Sequence, residues 1–242
     1  MPIYFINEND ITGDIVRISG GNFHHLSNVL RREAGDEIFV SDTKEKYRLR
    51  ITSVSKKHLE AKIINREKIQ SGREITLTQC LPKKNKMDTV ARANVELGVR
   101  NIIPVISERS VPRLDDAREQ KLLSRWRKVS IEQAQQSGIP VLPNVSGVQK
   151  FEEAVQNLKG FDLVIIPWEE EKSKKIKDVL KNCKNVQKIA IIIGPEGGLT
   201  AEEVNFAEKT GAIRVSLGGT IFRTEIAGLI AVSIIKYQFD WL

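Results

Sequence analysis

The first 70 residues contain short runs in which apolar and polar residues alternate, the pattern of half-buried β-strands. Tyr47, Leu49 and Ile51, for example, alternate with Arg48 and Arg50. Strands are predicted at Asp14–Ile18, Glu37–Ser41, Tyr47–Val54 and Leu59–Asn65, turns at Gly20-Gly21 and Gly35-Asp36, and a short helix at Phe23–Arg32. Residues 1–70 are therefore expected to form a small β-barrel, which is either a nucleic-acid module or a scaffold.

After a linker predicted at Ser71-Gly72-Arg73, buried-type apolar runs alternate with amphipathic stretches. Strands are predicted at Ile75–Cys80, Ile102–Ile106, Asp162–Ile166, Lys188–Ile193 and Ile213–Leu217, and helices at Asn85–Leu97, Asp115–Gln136, Ser173–Leu180 and Thr224–Tyr237. Thr200 and Glu203 form a capping box that opens one more helix, which is expected to stop before Gly211. Strands that alternate with helices indicate a parallel sheet with crossover connections, so residues 74–242 are predicted to be an α/β domain.

The long helix predicted at Asp115–Gln136 has two distinct faces. An apolar seam runs through Leu122, Trp126, Val129 and Gln133, and a basic ridge runs through Arg118, Lys121, Arg125 and Lys128. Residues 71–150 carry 14 basic and 8 acidic side chains, so this part of the chain holds most of the net charge of +7. The ridge is either a solvated surface or a binding face for nucleic-acid phosphates.

Composition narrows the class of protein further. The chain has 242 residues, of which 40% are hydrophobic and 29% charged, as in a folded domain rather than a disordered one. Cys80 and Cys183 lie far apart, and the histidines, His24, His25 and His58, all lie in the first quarter. These residues predict no disulfide framework, no zinc pattern and no other metal site.

The apolar segments are short. Met1–Asp10 has no basic region and contains two acidic residues, which argues against a signal peptide. The longest apolar runs, such as Ile189–Ile193 and Ile226–Ile235, are shorter than the roughly 20 residues of a membrane span. We therefore expect a cytoplasmic protein with reduced thiols and no membrane partner.

Three loops follow the carboxyl ends of predicted strands, where open α/β sheets bind their ligands. They are Pro167-Trp168-Glu169, Gly194-Pro195-Glu196-Gly197-Gly198 and Gly218-Gly219-Thr220-Ile221-Phe222. Glycines allow a backbone to approach a ligand closely, although a single glycine-rich loop is more often an ordinary tight turn. Two such loops on successive strands favour a ligand pocket.

The ligand of this pocket is not expected to carry phosphate. The chain has neither the phosphate-binding loop nor the dinucleotide-binding glycine pattern, and Glu196 would repel a phosphate. S-adenosylmethionine, which has an adenosine, an amino acid and a cationic sulfonium, is compatible with these residues.

The segment Ile193–Thr200, with Glu203-Val204, resembles the signature of the trefoil-knot (SPOUT) RNA methyltransferases, and within them that of the small-subunit (16S) ribosomal RNA uridine-N3 methyltransferase family. Further motifs similar to that family follow in order: His24-His25-Leu26 with Val29-Leu30-Arg31 and Gly35-Asp36; Pro82-Lys83 with Lys86-Met87-Asp88 and Glu96-Leu97-Gly98-Val99; Glu108-Arg109-Ser110, Arg125-Trp126-Arg127-Lys128 and Gln135-Gln136-Ser137-Gly138; and Leu217-Gly218 with Arg223-Thr224-Glu225 and Ala227. The resemblance covers nearly the whole chain.

The resemblance implies a PUA-like, RNA-binding β-barrel at 1–70 and a knotted methyltransferase domain at 74–242 that pairs into a homodimer. It also implies S-adenosylmethionine as the cofactor and ribosomal RNA or the small ribosomal subunit as the partner. The implied cofactor-binding residues are Ile166, Pro167, Gly194, Pro195, Glu196, Gly197, Leu217, Gly218, Gly219, Ile221, Thr224 and Ala227. The expected RNA-binding residues are His24, His25, Arg31, Lys83, Lys86, Arg109, Arg118, Lys121, Arg125 and Lys128.

Arg223 is the first candidate for catalysis, because its guanidinium fork matches a uridine anion flanked by two carbonyls. Glu225 is a weaker candidate for a general base. The alternative to these catalytic roles is a structural one, in which Arg223 and Glu225 form a salt bridge at the start of a helix.

The chain departs from the family pattern at Thr220, Ile226, Ile139 and Ala93. These departures keep a second hypothesis open, an RNA-binding protein that binds the cofactor with little or no turnover, or that acts on a different RNA. A nucleotide-dependent enzyme is disfavoured by the missing phosphate motifs.

Overall fold

The structure is a computed structural model, and it describes residues 1–69, 72–111 and 114–241. The chain divides into two compact units. The first contains Met1–Ser71 and Glu132–Leu142, and the second contains Gly72–Ile131 and Pro143–Leu242. Part of the predicted linker, Ser71, lies outside the described residues.

The first unit is built on a mainly antiparallel sheet. Its strands are β1 (Ile3–Phe5), β2 (Ile11–Thr12), β3 (Ile15–Ser19), β4 (Glu37–Ser41), β5 (Glu45–Val54) and β6 (His58–Lys68). They lie in the order β1-β4-β5-β6-β3-β2, and only the β1–β4 pair is parallel among the described strands of this sheet. The alternation predicted in β5 is confirmed, because Tyr47, Leu49 and Ile51 are buried while Arg48 and Arg50 are exposed.

Two local predictions in this unit are wrong. Gly20-Gly21 does not form a turn between elements but begins α1 (Gly20–His24), and α1 continues into one π-helical segment at His25–Val29. The helix ends before Arg32, since Arg31 takes a left-handed backbone conformation with φ of 52°. Leu26 of the π-helical segment is buried, whereas Val29 and the following Leu30 are exposed.

The segment Glu132–Leu142 joins the first unit although the predicted division assigned it to the second domain. The Ser41 hydroxyl donates a hydrogen bond to the Pro140 carbonyl oxygen at 2.6 Å. Gly138, with φ of 71°, passes so close to the Met1 carbonyl that a Cβ there would lie 2.8 Å from its oxygen. These contacts join residues that are 99 or more positions apart, which local sequence patterns do not report.

The second unit is a parallel sheet with helices. Its strands are β7 (Glu74–Cys80), β8 (Asn101–Ile106), β9 (Asn144–Val145), β10 (Gln149–Lys150), β11 (Leu163–Pro167), β12 (Lys188–Ile193) and β13 (Ile213–Val215). Its helices are α2 (Lys86–Glu96), α3 (Asp116–Ser137), α4 (Phe151–Gln156), α5 (Ile176–Lys181), α6 (Ala201–Lys209) and α7 (Thr224–Gln238), although α3 ends in the first unit. The strand order β10-β8-β7-β12-β11-β13, with β9 beside β8, confirms the predicted parallel sheet.

Element boundaries differ from the predictions by a few residues. β11 begins and ends one residue later than predicted, β13 ends two residues earlier, and α5 starts at Ile176 rather than Ser173. The short elements β1, β9, β10 and α4 were not predicted, because each is too short to show a hydrophobic period. The capping box of α6 is confirmed by hydrogen bonds in both directions between Thr200 and Glu203.

The centre of the sheet is the apolar strand β12, which lies between β7 and β11. Ala190, Ile191 and Ile192 are fully buried. α7 packs against α2, β7 and β12, and a Cβ at Gly228 of α7 would lie 3.3 Å from Leu77 of β7. This close packing holds the start of α7 at the carboxyl edge of the sheet, beside the loops that follow the central strands.

In the described part of the chain, no helix is both long and apolar enough to cross a membrane. The same residues contain no group of three or more His, Cys, Asp or Glu side chains arranged to hold a metal ion.

Candidate active site

The predicted glycine-rich loops meet at one edge of the parallel sheet. In register, Ile193 of β12 lies beside Gln79 of β7, and Pro167 of β11 lies beside Val215 of β13. The loops that follow β7, β11, β12 and β13 therefore leave the sheet side by side. We name the segments 167–169, 194–199 and 216–223 the first, second and third site loops.

The second site loop is tied to α7 and β7 by a chain of hydrogen bonds that is buried at Gln79 and partly buried at Gly194. The Thr224 hydroxyl donates to the Gly194 carbonyl oxygen at 2.6 Å and accepts from Gln79 Nε2 at 2.9 Å. Gln79 Nε2 also donates to the Cys80 carbonyl oxygen at 2.9 Å. Gln79 was not among the predicted site residues, and the available signal was a long polar side chain within the apolar strand Ile75–Cys80.

Two glycines of the second site loop lie close to other segments. Gly198 has φ of 71°, and a Cβ there would lie 1.9 Å from Glu169 Oε1 of the first site loop. A Cβ at Gly197 would lie 3.3 Å from Arg109 Cβ. The second site loop is therefore backed by the first site loop and by the segment after β8.

The third site loop borders open space instead. Gly218 has φ of 134°, and a Cβ at Gly218 or Gly219 would meet no described atom within 4 Å. Ile221 in the same loop is 78% exposed. The three site loops together form a cradle. Its side at the third site loop leaves room for a ligand to reach main-chain groups.

Backbone contacts hold the start of the third site loop. Trp168 donates its backbone N–H to the Val215 carbonyl at 3.0 Å, and Ser216 donates to the Lys174 carbonyl at 2.8 Å. Glu171 stabilises the segment before α5. Its carboxylate accepts hydrogen bonds from the Ser173 hydroxyl and from the backbone N–H groups of Ser173 and Lys174. These donors lower the pKa of Glu171 to about 2.

A network of charged side chains connects the second site loop to the starts of α2 and α7. Lys86 Nζ lies 2.9 Å from Glu196 Oε1 and 3.2 Å from Glu225 Oε2. The Lys83 backbone N–H donates to both oxygens of Glu196 at 3.1 Å. Arg223 Nη1 lies 3.7 Å from Glu225 Oε1, with the Arg223 side chain 75% exposed. The salt bridge between Arg223 and Glu225, which was the structural alternative to a catalytic role, is therefore present.

These contacts keep both carboxylates ionised. Burial raises the pKa of Glu225, but its own backbone N–H, the Lys86 ammonium and the Arg223 charge outweigh burial, so the pKa lies below its ordinary value. The pKa of Glu196 is lowered in the same way against the effect of burial, chiefly by the hydrogen bond from Lys86. The hydrogen bond to Glu196 in turn raises the pKa of Lys86. A carboxylate with a lowered pKa is a weak base.

Glu203 connects the start of α6, which directly follows the second site loop, to the segment after β8. Its buried carboxylate accepts from the Thr200 backbone N–H at 3.0 Å and from the Glu108 backbone N–H at 2.9 Å. The next residue, Arg109, donates from Nη1 to the Gly197 carbonyl oxygen at 2.9 Å. The predicted RNA-binding residue Arg109 is thus also a support of the second site loop.

The remaining predicted RNA-binding residues fall into two groups. Lys83, Arg118, Lys121, Arg125 and Lys128 are exposed in the second unit, and α3 confirms the predicted helix that carries the basic ridge. Arg125 forms an ion pair with Asp88. His24, His25 and Arg31 are exposed in the first unit, where the Tyr4 hydroxyl lies 3.0 Å from His25 Nδ1.

Comparison with known proteins gives the family. A model described as "RNA methyltransferase domain" matches residues 70–236, and one described as "RNA methyltransferase PUA domain" matches residues 18–64. The ribosomal RNA small subunit methyltransferase E of Bacillus subtilis is 32% identical over 232 residues, which are 93% of this chain and 91% of that protein.

Two solved structures extend the similarity to the fold. The ribosomal RNA small subunit methyltransferase E of Neisseria gonorrhoeae, bound to S-adenosylmethionine, is 30% identical with a TM-score of 0.84, over 98% of this chain and 97% of that one. A Legionella pneumophila protein in complex with the same cofactor is 25% identical with a TM-score of 0.80, over 97% of this chain and 96% of that one. The fold is thus α/β with an N-terminal PUA-like unit and a C-terminal parallel-sheet unit, and the trefoil knot stays a prediction. With its family-model match over most of the chain and its relatives matched nearly end to end, the chain belongs to the RNA methyltransferase family, among the ribosomal RNA small subunit methyltransferases E.

Proposed function

We propose that this protein is an S-adenosylmethionine-dependent methyltransferase that methylates N3 of a uridine in the 16S ribosomal RNA of the small subunit. The observation that carries the proposal is the cradle of site loops at the carboxyl edge of the sheet, built on the segment Ile193–Thr200 that resembles the family signature. The ribosomal RNA substrate is supported by the names of the relatives, and the N3 position by the resemblance of the motifs.

The residues of the cradle fit the cofactor. The open space beside Gly218 and Gly219 admits a ligand to main-chain donors and acceptors. Among the described residues, the buried Nε1 of Trp168, in the first site loop, lacks a hydrogen-bond partner. Thr224 acts here through Gly194, since its hydroxyl already donates to that carbonyl.

We assign contacts to the cofactor to the backbone groups of Ile166, Gly194, Gly197, Leu217, Gly218 and Ile221, with Pro167, Pro195, Glu196, Gly219 and Ala227 lining the same space. When bound, S-adenosylmethionine supplies an electrophilic methyl group on a sulfonium. The chain then has to place the uridine nitrogen in line with that methyl group, and positioning of this kind contributes much of the rate in a displacement.

Arg223 is the residue proposed to stabilise the uridine anion. Its side chain is mostly exposed and stands at the start of α7, where an RNA base can reach it. A guanidinium fork donates to a carbonyl-flanked anion with matching geometry. Glu225 is a weak base with its lowered pKa, so we assign it to orienting Arg223 rather than to accepting the N3 proton, which passes to water.

The RNA is held through its phosphates by the basic ridge of α3, with His24, His25 and Arg31 contributing in the PUA-like unit. We also propose a cytoplasmic location, which a ribosomal RNA substrate supports. We further propose a homodimer through α7, whose Ile226, Leu229, Ile230 and Ile234 are only partly buried in the single chain.

Transfer of a labelled methyl group tests the proposal. The protein is incubated with labelled S-adenosylmethionine and purified small ribosomal subunits or 16S RNA, with large subunits as the control. Label in the small-subunit RNA, found in N3-methyluridine after digestion, is the expected result. Cofactor binding by calorimetry without transfer to either substrate would favour the non-catalytic alternative, which the departures at Thr220 and Ile226 motivate.

A further inference from the structure

Lys86 occupies a position that its predicted role as an RNA contact does not explain. It is the first residue of α2, and its ammonium lies within 3.2 Å of two carboxylates that belong to different segments, Glu196 of the second site loop and Glu225 of α7. The Glu196 side chain is 23% exposed and the Glu225 side chain 11%, so neither is fully screened by water.

The two carboxylates need a shared cation. Because both lie against the same ammonium, they face each other as like charges when it is removed. The other donors do not replace Lys86. The Lys83 backbone N–H serves Glu196 alone, and Arg223 is 3.7 Å from Glu225 with a largely solvated side chain. Lys86 is therefore the one charged side chain in the described structure that bridges both carboxylates.

We propose that Lys86 is a positioning residue for methyl transfer: by bridging Glu196 and Glu225 it fixes the start of α7, and with it Arg223, against the second site loop. This inference rests on the proposed function. An ammonium engaged by two carboxylates is poorly available to an RNA phosphate, so its contribution to activity runs through Glu225 rather than through RNA affinity.

Three single variants separate this role from a general one. Lys86→Met keeps the length of the side chain and removes its charge, and Lys86→Arg keeps the charge. Lys84→Met is the control, because it replaces an exposed lysine by methionine in the turn just before α2. Circular dichroism and thermal melting establish that each variant folds. Affinity for S-adenosylmethionine is measured by calorimetry, and kcat and KM by methyl transfer to the small subunit.

Lys86→Met is expected to lower kcat by about tenfold or more, since small displacements of a reacting group are costly, while KM for RNA and cofactor affinity change by less than about threefold. Lys84→Met should match the wild type, and Lys86→Arg should keep at least about a third of kcat. A change confined to KM for RNA would indicate that Lys86 contacts an RNA phosphate. Loss of kcat in Lys86→Arg equal to that in Lys86→Met would show that the charge is not what matters, and either result overturns the proposal.

A double-mutant cycle with Glu225→Gln tests the route of the effect. If Lys86 acts through Glu225, adding Lys86→Met to Glu225→Gln should lower kcat by less than about threefold further, and losses that multiply independently would refute the inference. Where Lys86→Met does not fold, Lys86→Gln takes its place in the cycle, and Lys86→Arg still tests the charge. A wild-type protein that transfers no methyl group overturns the proposed function and this inference together, whereas an active wild type with an equally active Lys86→Met overturns the inference alone.

Discussion

Replacing Thr224 by valine should weaken both the fold and the cofactor site. Thr224 is 6% exposed, and its hydroxyl joins Gly194 of the second site loop to Gln79 of β7. Valine has nearly the same shape, so the change removes the hydroxyl without opening a cavity. Thr224 is the first residue of α7, and threonine and valine have similar helix propensities.

The expected cost follows from the two hydrogen bonds. Each lost bond contributes about 1 kcal/mol, and a buried carbonyl left without its donor costs about 1–3 kcal/mol. Gln79 Nε2 keeps its bond to the Cys80 carbonyl, so the main penalty falls on the Gly194 carbonyl. Because the hydrogen bond between Thr224 and Gly194 is only partly buried, Thr224→Val should lower the free energy of unfolding by about 1–2 kcal/mol.

Urea denaturation measures this loss, and calorimetry measures the affinity for S-adenosylmethionine, which should weaken by about threefold or more because Gly194 loses its anchor. Thr89→Val, the same change at an exposed position of α2, is the control and should leave both quantities nearly unchanged. A loss of stability below about 0.5 kcal/mol in Thr224→Val would refute the reasoning, because a surface substitution has an effect of that size.

Further predictions concern catalysis, RNA affinity, acid stability and assembly. Arg223→Ala should leave cofactor affinity nearly intact and lower methyl transfer by about 10²-fold or more, with little recovery in Arg223→Lys; full activity in Arg223→Ala would make it a structural residue. Charge reversal of the exposed Arg118 and Lys121 together should weaken RNA binding across sequences and reduce its salt dependence, and an unchanged salt slope would identify the ridge as a solvated surface. Glu171→Gln should lower Tm at pH 7, because a lowered folded-state pKa stabilises the fold fully above about pH 4.5. The difference from wild type should shrink as pH falls from 4.5 towards about 2, where the carboxylate protonates in the folded state, and a constant difference contradicts this. Sedimentation should give twice the chain mass of 27.3 kDa for the wild type and a monomer for Leu229→Glu, and a monomeric wild type at micromolar concentration would reject the dimer.

Most of the fold could be predicted from patterns among residues that are close in sequence. The alternation in β5, the capping box of Thr200 and Glu203 and the apolar run of β12 each depend on neighbours in sequence, and each is confirmed. The site loops were predictable for the same reason, since loops after parallel strands leave from one edge of the sheet.

The features that the sequence did not predict depend on contacts between residues far apart in the chain. Gln79 and Lys86 gain their roles from partners on α7 and the second site loop, more than 100 residues away, and no period or motif spacing encodes those distances. Glu132–Leu142 belongs to the first unit, where Pro140 accepts a hydrogen bond from Ser41, 99 positions earlier in the chain. The π-helical segment at His25–Val29 was missed because a single widened turn hardly changes a helical pattern.

The most direct test of the central proposal is mass spectrometry of 16S ribosomal RNA from cells that contain this protein and from otherwise identical cells that lack it. The proposed function predicts one uridine that carries an N3-methyl group in the first RNA and none in the second, with the modification restored when the wild-type chain is supplied again. Identical methylation of the small-subunit RNA in both cells would contradict it.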